Sequence, residues 1–245
     1  MADIKVLKET KEKIEISVVM TVAGDIESTR RALMSLDNCS QTPFELILVD
    51  GESHLEDIIK DFKNLNIIQI KIIDIGERVG YVKAMNTGIK EAKGEYIVMT
   101  QNDIELNPYE LDWLHMMKRL METHLEYGAV GPVTSTRHSR LYVKDIFAEP
   151  SDFIFGFQCV MIRRKVFETM GYIDENFKGN GGFDDDDFCL RMKLQGWQLG
   201  LAFFGVKHYY DEGYARKNTA NENVLNNIQY FNSKWEHLNL RRGYK

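Results

Sequence analysis

Short β-branched runs alternate with amphipathic stretches through the first hundred residues. Residues 14–22 (IEISVVMTV) read as a central strand buried on both faces. Gly24-Asp25 breaks the run, and residues 26–36 place Ile26, Thr29, Leu33 and Leu36 at helical spacing. A second strand is predicted over 44–49 (FELILV), stopped by Asp50-Gly51. Residues 55–62 read as helix, with Leu55, Ile58, Ile59 and Phe62 on one face. A third strand follows over 67–73. A helix over 80–92 turns Val82, Met85 and Ile89 inward, with Gly94 as its terminator. Residues 96–100 form a fourth strand. Such alternation predicts βαβ units and a parallel sheet with right-handed crossovers.

The rest of the chain is less regular. Pro108 marks the start of a long helix through His124, and 129–131 form a short strand closed by Pro132. Residues 134–152 are polar, partly basic and without period, and read as loop. A strand over 155–163 and a helix over 165–170 follow. Gly179-Asn-Gly-Gly182 reads as a flexible hinge. A helix over 185–195, a strand over 198–204 and a terminal helix over 221–235 complete the pattern. Residues 1–13 are a polar extension, and 14–245 read as one α/β domain.

Composition narrows the class. At 245 residues the chain has ample length for a core, and its net charge of -6 argues against a broad nucleic-acid footprint. Cys39, Cys159 and Cys189 are odd in number and fit no metal-ligand spacing, which suits reduced thiols in a cytosolic protein. The N-terminus has no signal-peptide pattern, and no apolar run approaches membrane-spanning length. The expectation is a soluble cytoplasmic protein that would meet any lipid-linked substrate from the water side.

Gln101-Asn102-Asp103 directly follows the fourth predicted strand. Ligands in open α/β sheets bind where strands end. Asp103, with the amide of Asn102 beside it, suits a hard divalent cation and the diphosphate that accompanies it. A cap before Pro108 is the plainer alternative. Four successive aspartates, Asp184 to Asp187, open the helix over 185–195. One acid suffices to cap a helix start, whereas four repel and raise a pKa. A raised carboxylate is a candidate general base. One acid for metal and one for a proton is what moving a group from a nucleotide to a hydroxyl requires.

Asp50 ends the second strand beside Thr21, Val22 and Ala23, where it can accept from a ribose or base, or simply form an Asp-Gly turn. Arg78 offers a cation to a diphosphate or faces solvent. Asn86 faces solvent or holds the backbone of the metal loop. His208 is structural or a further metal ligand. Residues 14–107 thus read as a nucleotide half and 108–245 as an acceptor half.

Together and in order, these pieces resemble the inverting glycosyltransferases of family 2, over roughly residues 16–235. SVVMTVAGD resembles the opening strand and nucleotide loop, and LILVDGES the strand ending in a base-contacting aspartate. RVGYVKAMNTGIKEAKGEYIVMTQNDIEL resembles the block with a helix asparagine and an acidic metal motif. RRKVFETMGYIDENF followed by DDDDFCLR resembles the acceptor-side signature. KHYY and NIQYFNSKW resemble the C-terminal region of bacterial rhamnosyltransferase-like members.

The resemblance implies the GT-A fold, a Rossmann-like, mostly parallel sheet flanked by helices with a smaller acceptor-side region. It implies that Asp50 binds base or ribose and that Asp103 ends an Asp-x-Asp-like metal motif. Asp185 becomes the catalytic base, with Asp184 and Asp187 close by, and His208 contacts metal or diphosphate. Mn2+ or Mg2+, a UDP-, dTDP- or GDP-sugar donor and a glycan or other hydroxyl acceptor follow. Three positions depart from the family: Gln101 stands in place of an acid, Arg78 in place of an asparagine, and Thr21-Val-Ala-Gly24 in place of Pro-Thr-Tyr-Asn. Loss of one metal-motif acid permits a catalytically silent binding module. A sugar nucleotidyltransferase needs a glycine-rich basic loop after the first strand, which Gly24-Asp25 does not supply.

Overall fold

The uninterrupted apolar runs are strands because both of their faces are covered. The computed structural model describes residues 2–22, 24, 26–51, 55, 59, 66–107, 112–134, 156–209 and 221–238. Its strands are β1 (Asp3–Lys8), β2 (Ile16–Val22), β3 (Phe44–Asp50), β4 (Ile67–Asp74), β5 (Tyr96–Gln101), β6 (Ile104–Leu106), β7 (Tyr127–Thr134), β8 (Cys159–Arg163) and β9 (Gln198–His208). The helices are α1 (Ile26–Cys39), α2 (Tyr81–Glu91), α3 (Trp113–Thr123), α4 (Arg164–Met170), α5 (Asp184–Leu194) and α6 (Asn221–Trp235). One sheet takes the strands in the order β1-β4-β3-β2-β5-β8-β7-β9-β6. β4, β3, β2 and β5 run parallel, in agreement with the alternation. β8 is antiparallel to both of its neighbours, and β6 is antiparallel to β9.

Alternate residues of the central strands feed two cores. Val18, Met20, Leu46 and Leu48 pack with Leu33, Leu36, Trp113 and Met117 of α1 and α3. Val19, Ile47 and Val49 pack the other way, with Val82, Met85, Ile89, Phe188, Met192 and Trp235 of α2, α5 and α6. A strand between two apolar layers has no polar face, hence the continuous runs. α2 lies especially close. A Cβ on Gly88 would stand 2.4 Å from Val19 Cγ1 and 2.7 Å from Val49 Cγ2.

The structure departs from the pattern at several places. The polar extension over 1–13 contains β1, an edge strand antiparallel to β4 with Ile4 opposite Ile73. Its side chains are exposed, so no burial pattern announces it. Gly94 does not end α2. Ala92 caps that helix with extended backbone, and Gly94 serves close approach: a Cβ there would be 2.6 Å from the Ser17 nitrogen.

β7 continues through Pro132. Its β8 ladder covers Ala129 and Val130, while its β9 ladder runs on to Thr134, so the missing proline N–H falls beyond the β8 pairing. β9 extends past Phe204 to His208 because β6 pairs with its last residues. α3 starts at Trp113 under an Asp112 cap. Pro108, Phe155 and most of the helix predicted over 55–62 lie outside the described residues, although Leu55 and Ile59 are buried. No helix among the described residues is long and apolar enough to cross a membrane.

Gly88→Ala forces a methyl group into the contact between α2 and the sheet. It should lower stability by about 1–3 kcal/mol, seen as a lower midpoint in thermal denaturation. An unchanged midpoint would mean that α2 retreats from the sheet freely.

Candidate active site

Strand register lines up the ends that carry the candidate residues. Val22 lies abreast of Asp50, and Asp50 abreast of Asp74. On the other side of β2, Thr21 lies abreast of Gln101. Asp50 is buried, and its carbonyl accepts the Ile75 N–H at 2.9 Å. The loop after β4 passes over Gly51, where a Cβ would stand 3.2 Å from the Glu77 carbonyl oxygen and 3.7 Å from Arg78 Cγ. Arg78 is exposed. Ala23 and the loop residues 135–152 lie outside the described residues.

After Gln101 the chain turns through Asn102 and Asp103 into β6. The β6–β9 ladder sets Ile104 opposite His208, which brings a histidine remote in sequence to Asp103. His208 Nε2 stands 3.4 Å from Asp103 Oδ2, the two side chains being 4% and 14% exposed. The Asp103 carbonyl accepts the Tyr209 N–H at 2.8 Å. Asp103 Oδ1 is buried and makes no hydrogen bond. Leaving an acceptor in that state is unfavourable by about 1–3 kcal/mol, which a bound cation or donor would relieve. Asn102 Nδ2 donates to Thr29 Oγ1 at 2.9 Å and ties the turn to α1. Tyr209 is held in turn. The Arg31 guanidinium lies 3.7 Å over its ring, and its hydroxyl accepts from Lys207 and donates to Glu105. Among the described residues no group of three or more His, Cys, Asp and Glu gathers as a metal cluster, so Asp103 and His208 stand as a pair.

The four aspartates of α5 separate into different environments. Asp187 is fully buried: Arg191 Nε meets Oδ2 at 2.9 Å, while Trp235 Nε1 and Lys234 Nζ meet Oδ1 at 2.9 and 2.8 Å. Both oxygens are taken, so Asp187, which the sequence groups with the candidate catalytic carboxylates, is engaged in anchoring α6. Asp184 is buried and accepts the Gly182 N–H at 2.5 Å. Burial pushes its pKa up to about 6, with the Gly182 hydrogen bond opposing and the charges of Asp186 and Asp187 adding. Asp185 is raised well above the carboxylate range, first by burial and then by the charges of Asp184 and Asp186.

α6 holds the approach to these acids as well. Phe183 enters α5 at φ 69°, a conformation strained for a bulky residue, with its ring against Phe231 at 5.6 Å between centroids. The 179–182 segment is not the loose hinge the glycines suggest. Asn227 accepts the Lys178 N–H at 2.9 Å and donates to the Lys178 and Gly181 carbonyls at 3.1 and 3.0 Å. Gly179, Gly181 and Gly182 all have positive φ, so they serve the shape of the turn.

The two clusters meet at Tyr81, which the sequence pattern marks only as part of the helix over 80–92. Its N–H donates to the Gly179 carbonyl at 2.8 Å. Gly80 permits the approach: its φ is 86°, and a Cβ there would stand 2.6 Å from that carbonyl oxygen. The Tyr81 hydroxyl reaches the Phe157 carbonyl at 3.4 Å. Burial and the negative charges of Asp184, Asp185 and Asp103 push its pKa well up, while a hydrogen bond with Gln101 opposes them. One hydroxyl therefore senses the Asp103 turn and the α5 acids together.

Asn86 lies elsewhere than its sequence reading suggests. Its amide donates to the Ile173 carbonyl at 2.8 Å and accepts the Ile173 N–H at 3.1 Å. Its polar ends are thus committed to the turn after α4, and not to a nucleotide or the metal loop.

The sequence profile of glycosyl transferase family 2 matches residues 17–171. The chain belongs to this family. It is thus a glycosyltransferase, and it is 23% identical over 195 residues to the uncharacterized glycosyltransferase YwdF of Bacillus subtilis (strain 168), covering 73% of this chain and 68% of YwdF. Its fold is similar to that of GalNAc-T7 solved with UDP, GalNAc and Mn2+, at TM-score 0.69 and 16% identity over 92% of this chain and 49% of that one. The chain therefore spans about half the length of GalNAc-T7. It is also similar to S. aureus TarS 1-349 in complex with UDP-GlcNAc, at TM-score 0.67 and 17% identity, covering 93% of this chain and 68% of that one. The mannosyltransferase PcManGT from Pyrobaculum calidifontis, in complex with GDP-Man and Mn2+, gives TM-score 0.60 and 14% identity over 91% of this chain and 71% of that one. Likeness at these identities is one of fold, the GT-A arrangement of a mostly parallel sheet flanked by helices.

Because the Asp184 pKa is raised on folding, the folded chain holds its proton more tightly than the unfolded chain, and ionisation opposes folding as pH rises. Asp184→Asn keeps an acceptor for Gly182 and removes that charge. It should raise the melting temperature at neutral pH, and the gain should fade below about pH 4, where the aspartate is protonated in both states. A gain that ignores pH would contradict this account of the cluster.

Proposed function

We propose that the chain moves a sugar from a nucleoside-diphosphate donor to an acceptor hydroxyl, with inversion and with the help of a divalent cation. What supports the reading is that the Asp103 turn and the α5 acids both lie close enough to Tyr81 for their charges to raise its pKa, with the Tyr81 ring against the turn beside Asp184. Thr21 and Asp50 stand at neighbouring strand ends and Arg78 in the loop that passes over Gly51, where base, ribose and diphosphate would lie, with Ala23 close to Thr21 in sequence. The UDP-GlcNAc and GDP-Man bound to fold relatives support a nucleotide-linked donor, of UDP, dTDP or GDP type.

The donor set at Asp103 fits a cation. One buried carboxylate oxygen lacks a hydrogen bond, and the His208 imidazole stands beside the other. Hard cations that accompany phosphates need only one or two protein carboxylates, with phosphate and water filling the shell. Gln101 in place of an acid is therefore compatible with the site. Mn2+ or Mg2+ held there would offset the charge that grows on the departing diphosphate. The Mn2+ in the GalNAc-T7 and PcManGT structures supports the assignment.

Asp185 takes the proton of the acceptor hydroxyl. The acceptor oxygen bonds to the anomeric carbon from the face opposite the diphosphate, and the sugar–phosphate bond breaks with its electron pair leaving on phosphate. The transition state has oxocarbenium character. Asp184 helps to keep the Asp185 pKa high, while Asp187 and α6 hold the helix start in place. The acceptor, a glycan or another hydroxyl compound, enters from the 108–245 half.

A second reading, a silent nucleotide-sugar-binding module, draws on the missing acid at Gln101. Asp185→Asn should reduce transfer by about a hundred- to ten-thousandfold while leaving nucleotide affinity in place. Full activity in that variant would move the base elsewhere. Tight nucleotide binding without turnover in the wild type would favour the silent module. Since Asp185 acts ionised and its pKa is raised, kcat/KM should fall on acidification along a limb above the ordinary carboxylate range. Asp103→Ala should abolish the Mn2+ dependence of nucleotide binding in calorimetry, and an unchanged metal titration would remove Asp103 from the site.

A further inference from the structure

We propose that Gln158 recognises a hydroxyl of the donor sugar and helps to select which sugar is transferred; this rests on the glycosyl-transfer reading above. Gln158 immediately precedes β8, whose first residue, Cys159, lies abreast of Thr100. It therefore stands one strand away from Gln101, where β5 gives way to the Asp103 turn. Two contacts fix its backbone there. Thr100 Oγ1 donates to the Gln158 carbonyl at 3.0 Å, and the Tyr81 hydroxyl donates to the adjoining Phe157 carbonyl at 3.4 Å. Tyr81 is the residue at which the Asp103 turn and the α5 acids meet.

The protein leaves one atom of the Gln158 side chain unsatisfied. Oε1 is buried and has no hydrogen-bond partner. The chain nevertheless makes room for the amide, since a Cβ on Gly156 would stand 2.4 Å from Oε1 and 2.5 Å from Nε2. Buried polar groups in folded proteins nearly always have a partner. The partner missing here is a donor, and we take it to arrive with a ligand at the strand end beside the Asp103 turn. An ionised diphosphate has no hydrogen to give. The nucleobase and ribose belong near Asp50, on the far side of β2. The reacting acceptor hydroxyl gives its proton to Asp185. A non-reacting hydroxyl on the donor sugar meets every requirement.

The test is calorimetric titration, with Mn2+ present, of wild type, Gln158→Leu and Gln158→Met. The probes are UDP-GlcNAc, GDP-Man and dTDP-glucose, with UDP, GDP and dTDP as sugar-free controls. Wild type should bind one sugar nucleotide more tightly than its parent nucleotide. Both variants should weaken that sugar nucleotide by about ten- to a hundredfold and leave the parent within about threefold. Their unliganded melting temperatures should hold or rise, because an apolar side chain of similar size replaces an unsatisfied amide. Unchanged sugar-nucleotide affinity in the variants would overturn the assignment, as would equal losses for sugar nucleotide and parent, no wild-type preference for any sugar nucleotide, or an effect confined to acceptor KM. Failure of wild type to bind any of the six nucleotides would instead defeat the glycosyl-transfer reading itself.

Discussion

Tyr81 gives its backbone N–H to the Gly179 carbonyl at 2.8 Å, and the site at the carboxyl edge of the sheet depends on that bond. α2 is fixed by its packing on β2 and β3, so its first residue is placed by the parallel sheet. Gly179 opens the turn that leads into the aspartates. The bond therefore carries the register of the sheet to a turn of three positive-φ glycines that α6 holds from its other side through Asn227. Gly80 makes it possible, since any side chain there would strike the Gly179 oxygen. With the two backbones joined, the Tyr81 ring spans from the α5 acids to Gln101.

Charge at the start of α5 is arranged, and only part of it is neutralised. Arg191 and Lys234 both meet Asp187, and Trp235 adds an indole N–H, so this carboxylate is a buried, fully engaged anchor. Removing a single partner from such a pair is strongly destabilising. Asp184 and Asp185 accept the backbone N–H groups of Gly182 and Asp186, yet burial and repulsion within the cluster raise their pKa values. Strained or repelling groups persist where the surrounding structure over-determines them. Here α6 supplies that constraint, through Asn227 on the glycine turn, Phe231 against the left-handed Phe183, and Lys234 with Trp235 on Asp187.

Sequence pattern reached the parallel half of the sheet because two-sided burial writes itself as unbroken apolar runs, in β2, β3, β4 and β5. It missed β1, whose stability comes from one edge ladder and whose side chains stay exposed. It stopped β7 too early because Pro132 reads as a breaker unless the partner on each side is known. In the site, Asp103 was legible as an acid directly after a buried strand. The partners of Asp187 and Asn86, Lys234 with Trp235 and Ile173, are remote in sequence and gave no signal. Tyr81 and Gln158 gave no signal, since an aromatic near a helix start reads as core and an amide within the strand predicted over 155–163 reads as one of its polar positions. The odd placement of glycines was the available hint: Gly80 admits the Gly179 carbonyl, and Gly156 and Gly181 clear space beside Gln158 and Asp184.

The central claim is that the Asp103 turn and the α5 acids face each other across one cleft with the donor between them. Anomalous scattering at the manganese edge, from crystals grown with Mn2+ and the tightest-binding sugar nucleotide, tests it most directly. The metal peak should lie against Asp103 and the diphosphate, with Asp185 facing the sugar from the side opposite the leaving group. A metal held away from Asp103, or a donor whose sugar points away from Asp185, would contradict the account.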